Sequence, residues 1–100
     1  MNDFAALHGA DTLVVDVREP GEYVAGHVPG AVSMPLGQVA TRREELPRDQ
    51  TVYVICASGN RSKVGAELLA YVGLDAVSIN GGTQAWQVIG RPVVTGRDPL

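Results

Sequence analysis

Apolar residues in this chain gather in short, continuous runs set apart by glycine and proline. Thr12-Leu13-Val14-Val15-Asp16-Val17 is β-branched and nearly all apolar, and it breaks at Pro20-Gly21. Thr51-Val52-Tyr53-Val54-Ile55-Cys56 is a second such run. Ala76-Val77-Ser78-Ile79, ending in Asn80-Gly81-Gly82, is a third, and Ala31-Val32-Ser33-Met34 before Pro35 is a shorter fourth. Hydrophobicity that is continuous rather than alternating predicts strands covered on both faces, as in parallel sheets.

The stretches between these runs have helical spacing. Arg61 to Val72 puts Val64, Leu68, Leu69 and Val72 on one predicted core stripe, and Gly73 follows as a stop. Leu36 to Leu46 predicts a weaker helix with Val39, Ala40 and Leu46 inward and Arg42, Arg43 and Glu44 outward. Thr83 to Ile89 predicts a short helix ending at Gly90, and Phe4 to Leu7 one or two turns. Strands alternating with helices define an α/β layered domain with a mostly parallel sheet. The tail from Arg97 to Leu100 is expected to fray.

Length and composition narrow the function classes. One hundred residues at 10.5 kDa predict one domain, spanning 1–100. A 45% apolar fraction with 19% charged residues excludes a disordered tail, a collagen-like fibre and a coiled coil. The net charge of −3 gives no electrostatic reason to bind nucleic acid or an anionic membrane. No apolar run approaches the roughly 20 residues that span a bilayer. The opening MNDFAALHGADT lacks a basic region followed by an apolar block, so the cytoplasm is the expected location. Cys56 is the single cysteine, which excludes an internal disulfide and a cysteine-rich zinc site.

A lone thiol is either a buried filler or a nucleophile, and its surroundings decide. Cys56 closes a strand and is followed by Ala57-Ser58-Gly59-Asn60-Arg61-Ser62 and then a helix. Ligands of α/β sheets bind at the carboxyl ends of strands. Small, turn-forming residues there let successive backbone N–H groups curl around one point, and such a nest attracts an anion. The anion with the shortest reach is the Cys56 thiolate. A helix N-terminus and a nearby cation lower a thiol pKa from about 8.5 towards roughly 3.5–7.5. Arg61, opening the helix, is placed to add that charge and a fork for anionic oxygens.

The loop Cys56-Ala57-Ser58-Gly59-Asn60-Arg61-Ser62 resembles the active-site loop of single-domain rhodaneses, the sulfurtransferases. Asp16-Val17-Arg18-Glu19-Pro20, Glu22-Tyr23 and Gly26-His27-Val28-Pro29-Gly30-Ala31 resemble the family's N-terminal signature. Gly81-Gly82 with Ala85-Trp86 resembles its C-terminal one. Three motifs in order, from about Thr12 to Ile89, are more specific than any one of them.

The resemblance implies a three-layer α/β/α domain whose mostly parallel central sheet has four to five strands. It implies that Cys56 takes the outer sulfur of thiosulfate or another persulfide donor and passes it to a thiophilic acceptor. The substrate-binding loop would be Ala57 to Ser62. Its partners would be a small-molecule sulfur donor and a thiol acceptor, with a thiol-bearing protein among the candidates, and with no metal and no organic cofactor. Related cysteine phosphatases use a longer loop than the four residues between Cys56 and Arg61, and Ile55 stands where they often carry His. A tight loop suits one sulfur better than a tetrahedral phosphate.

Other marked residues read as support. Asp16 and Arg18, at a strand end beside the loop, are expected to form a structural ion pair. Glu19 and Glu22 are expected in solvent, with Glu22 a candidate partner for Arg18. His27, between turn residues, reads as a structural hydrogen-bonding group, and Trp86 as core. Gly81-Gly82 allows both positive φ and close backbone approach to the cysteine loop. The chain begins only about ten residues before its first strong strand, so the short leading strand and helix that the resemblance implies are expected to be abbreviated at that edge of the sheet. No second cysteine is present to attack a Cys56 persulfide, so release needs an external thiol. A non-catalytic interaction module and a carrier loaded by a protein donor are the competing functions.

Overall fold

A computed structural model describes all residues, 1–100. Four parallel strands form one sheet in the order β2-β1-β3-β4: β1 (Leu13–Asp16), β2 (Val32–Ser33), β3 (Val52–Ile55) and β4 (Ala76–Ser78). Val15 of β1 lies opposite Val32 and Val54, and Tyr53 of β3 lies opposite Val77. No leading strand covers β4, so β2 and β4 are the edges.

Alternate residues of the same apolar runs serve opposite faces, which is why the runs have no polar side. Val15, Val17, Val52, Val54 and Cys56 pack against Val39, Leu46, Ala66 and Leu69. Val14 and Ile55 pack on the other face against Phe4, Tyr23, Val28, Ile79 and Trp86. Helices α1 (Asn2–Leu7), α2 (Pro20–Ala25) and α5 (Gly82–Val88) cover the second face, while α3 (Val39–Arg42) and α4 (Asn60–Tyr71) cover the first. The architecture is thus α/β with helices on both sides of a four-stranded parallel sheet.

Four expectations from sequence need correction. Pro20-Gly21 does not merely break the chain; it opens helix α2. Proline at the first position of a helix sacrifices an amide that has no partner anyway, and Glu19 and Glu22 form a reciprocal capping box around it. The helix expected over 36–46 is three short pieces, with 3-10 turns at Leu36–Gln38 and Arg43–Glu45 flanking α3, and Ala40 is exposed. On α4 the buried face is Ser62, Gly65, Ala66 and Leu69, whereas Val64 and Leu68 stand in solvent. The cause is Gly65: a Cβ there would meet Val54 at 3.3 Å and Val17 at 3.4 Å, so the helix lies on the sheet along its small residues. Finally, the tail does not fray freely. Val94 pairs with His27, Pro99 O accepts from Gly30 N–H at 2.9 Å, and Asp98 O lies 2.8 Å from His27 Nε2.

Candidate active site

The carboxyl ends of β1, β3 and β4 converge on the loop that follows Cys56. β3 delivers Cys56, which is only 1% exposed. The chain then turns through Gly59, whose φ of +112° is the left-handed conformation that glycine tolerates, and enters α4. That turn brings Gly59 N–H to 3.0 Å from Cys56 Sγ, and Ser62 Oγ to 3.5 Å. Ser62 Oγ also donates to Gly59 O at 3.1 Å and lies 2.8 Å from Ser78 Oγ. In the thiol state Sγ–H donates to Ser62. In the thiolate state the Ser62 hydroxyl turns to donate to sulfur, and Ser78 is placed to donate to Ser62 in turn.

Burial pushes the Cys56 thiol up, but the hydrogen bonds of Ser62 and of the Gly59 and Ser58 amides outweigh it and leave its pKa below the ordinary 9.0. The groups that lower it are neutral donors.

The base of the loop is fixed from α5. Thr83 N–H donates to Cys56 O at 2.8 Å, its hydroxyl to the same oxygen at 3.1 Å, and Gln84 N–H to Ala57 O at 3.0 Å. Gly82 makes this approach possible: a Cβ there would stand 2.5 Å from the carbonyl oxygens of both Cys56 and Ala57. Gly81 and Gly82 also carry positive φ, so the close approach and the turn coincide.

Asp16 and Arg18 form the expected ion pair, buried and two-pronged, with Arg18 Nε and Nη2 on the Asp16 carboxylate and Nη2 also on Gly26 O. It ties the end of β1 to the turn after α2. His27 is fully buried, with Nδ1 2.8 Å from Tyr23 O and its ring stacked on that of Tyr23. Trp86 is buried and donates from Nε1 to Pro92 O.

The pairing of Glu22 differs from expectation. Its partner is Arg61, not Arg18: Arg61 Nη1 and Nη2 bond the two carboxylate oxygens at 2.6 and 2.9 Å. Oε1 also accepts the Glu19 N–H at 3.1 Å. The Arg61 guanidinium holds the Glu22 carboxyl well below the usual range, at about 2, and Glu22 raises Arg61 in return. Arg61 therefore bonds α2 rather than the sulfur, while remaining close enough for the Cys56 thiolate to raise it as well. The roles of Glu22, Ser78 and Thr83 come from elements remote in sequence, and only Glu22-Tyr23, within a family-like motif, carried any signal of importance. No three His, Cys, Asp or Glu side chains gather as metal ligands.

The family model of the rhodanese-like domain matches residues 2–88, and the chain belongs to that family. A protein of Allochromatium vinosum named sulfurtransferase is 36% identical over 85 residues, covering 84% of this chain and 79% of its own. YrkF of Bacillus subtilis, whose name proposes a sulfur carrier, is 39% identical over 74 residues, 73% of this chain but 40% of its own length. The crystal structure of a rhodanese-related protein from Thermoplasma volcanium superposes with a TM-score of 0.79 at 40% identity, covering 83% of each chain.

Proposed function

We propose that this chain is a sulfurtransferase that holds one sulfane sulfur at a time as a persulfide on Cys56. The observation that carries this reading is a single thiol at the end of a central strand, with Gly59 N–H 3.0 Å and Ser62 Oγ 3.5 Å from its sulfur; these donors favour the thiolate. Family membership and the sulfurtransferase name of the A. vinosum relative support it.

In the donor step the Cys56 thiolate attacks the outer sulfur of thiosulfate. The thiosulfate S–S bond breaks, sulfite leaves with the bonding pair, and Cys56 keeps a persulfide anion. In the second step an external thiolate or cyanide attacks the terminal sulfur, and the Cys56 thiolate leaves. Gly59 N–H and the amides that open α4 stabilise the terminal sulfur as an oxyanion hole stabilises oxygen. Ala57 to Ser62 form this cradle, while Asp16 and Arg18 hold the strand end beside it. No second cysteine exists in the chain, so the acceptor comes from outside.

A carrier loaded by a protein donor is the second reading, favoured by the similarity to YrkF. It uses the same Cys56 persulfide and differs only in the donor. Cys56→Ser should reduce sulfur transfer from thiosulfate or glutathione persulfide to cyanide to the uncatalysed background, with the circular dichroism of the wild type. Retention of the wild-type rate would remove Cys56 from the mechanism.

A further inference from the structure

Both arginines beside the thiol are occupied. Arg18 is bonded through two nitrogens to Asp16, and Arg61 through two nitrogens to Glu22. Glu22 also accepts the Glu19 amide at 3.1 Å, which gives its carboxylate a further partner within α2. Lys63, in the same turn of α4, is exposed. A guanidinium clamped by a carboxylate presents a dipole rather than a charge, and the field of a dipole falls off faster than that of an ion. The site therefore stabilises sulfur with neutral amides and hydroxyls, which suits small charge, and neither arginine offers its fork to a dianion; the remaining cation in that turn, Lys63, stands in solvent.

We propose that Glu22 is a specificity-determining positioning residue, which by engaging Arg61 biases the cysteine toward sulfane sulfur donors with one negative charge at the reacting group over the dianion thiosulfate. The proposal rests on the sulfurtransferase reading. The donors meant are thiosulfonates and persulfides. With methanethiosulfonate, Cys56 thiolate attacks the outer sulfur, the S–S bond breaks and methanesulfinate leaves with the bonding pair. With a persulfide, the corresponding thiolate leaves. In each case Cys56 gains one sulfur and the charge balances. Removing the Glu22 charge frees Arg61 to meet the sulfonate oxygens of thiosulfate through its fork.

Glu22→Gln keeps an oxygen to accept from the Glu19 amide and so preserves the start of α2. The measurement is kcat/KM for thiosulfate and for methanethiosulfonate, similar in size but one charge apart, with cyanide as acceptor. Glutathione persulfide, tested alongside, distinguishes persulfides from thiosulfonates as a source. The thiosulfate to methanethiosulfonate ratio should rise about tenfold in Glu22→Gln, mainly through a lower KM for thiosulfate. A merely structural role would lower both donors together. An unchanged ratio, with both donors still loading Cys56, would overturn this inference and leave the sulfurtransferase reading standing. Failure of every donor to load Cys56 would overturn that reading instead. A protein that keeps Glu22 supplies a test independent of that variant's folding. With the exposed Lys63 neutralised as Lys63→Gln, its kcat/KM for thiosulfate should change less than twofold between low and moderate salt, because Glu22 holds Arg61. A steep fall with salt would show Arg61 acting as a free charge and contradict the proposal.

Discussion

Cys56 is a buried side chain whose thiol is held below its ordinary pKa by hydrogen bonds, and each bond belongs to an identifiable residue. Ser62 supplies the side-chain donor, so Ser62→Ala should shift the midpoint of the pH dependence of Cys56 alkylation upward. The expected shift is about one unit, the usual worth of a hydrogen bond to a charged group. An unshifted midpoint would mean that the backbone amides alone set the thiol. Gly82 is the other residue on which the site depends. Gly82→Ala puts a methyl 2.5 Å from two carbonyl oxygens in backbone that cannot yield without moving the cysteine loop. Thermal unfolding should register a loss of about 1–3 kcal/mol, the usual cost of overpacking, together with reduced transfer activity.

At the scale of elements, the Glu22–Arg61 pair joins α2 to the first turn of α4, directly beside the cysteine loop. Glu22 has a native pKa of about 2 against an ordinary 4.5. A carboxyl depressed in this way adds stability that is fully present above the ordinary value and lost as pH falls through the native one. The tie between α2 and α4 should therefore weaken between about pH 4.5 and pH 2. In that interval denaturant midpoints should fall less steeply for Glu22→Gln than for the wild type; parallel slopes would place the acid sensitivity elsewhere. The effect is small because both side chains are 37% exposed and solvent screens the pair.

What was legible in the sequence follows the same division. The strands were readable because residues buried on both faces leave no polar alternation, and the cysteine loop because its small residues and Arg61 are contiguous. Helix α2 was hidden because Pro20-Gly21 reads as a breaker unless the capping pair Glu19 and Glu22 is weighed with it. The buried face of α4 was misplaced because Val64 and Leu68 outrank glycine in hydrophobicity, while packing on the sheet favoured the residue that takes least room. The partners Glu22 and Arg61 are 39 residues apart, and no local rule pairs them.

On the scale of the whole molecule, the sheet carries the cysteine while its borders are held by connections that pass outside it. The segment after α5 returns across the domain to His27, and Asp98 and Pro99 bring their carbonyls to the His27 ring and the Gly30 amide. Deleting residues 98–100 removes those acceptors from the buried His27 ring and the half-buried Gly30 amide, at a cost of about 1–2 kcal/mol. The melting midpoint should drop by roughly 4–8 °C for each kcal/mol in a domain of this size. An unchanged midpoint would make the tail a passenger. No helix of the molecule is long and apolar enough to cross a membrane.

The most direct test of the central claim is intact mass spectrometry after incubation with sulfur donor in the absence of reductant, run beside Cys56→Ser. Thiosulfate, methanethiosulfonate and glutathione persulfide should be compared as donors. The account predicts a gain of one sulfur atom in the wild type, none in the variant, and complete reversal by cyanide. No gain from any donor, or an equal gain in Cys56→Ser, would contradict it.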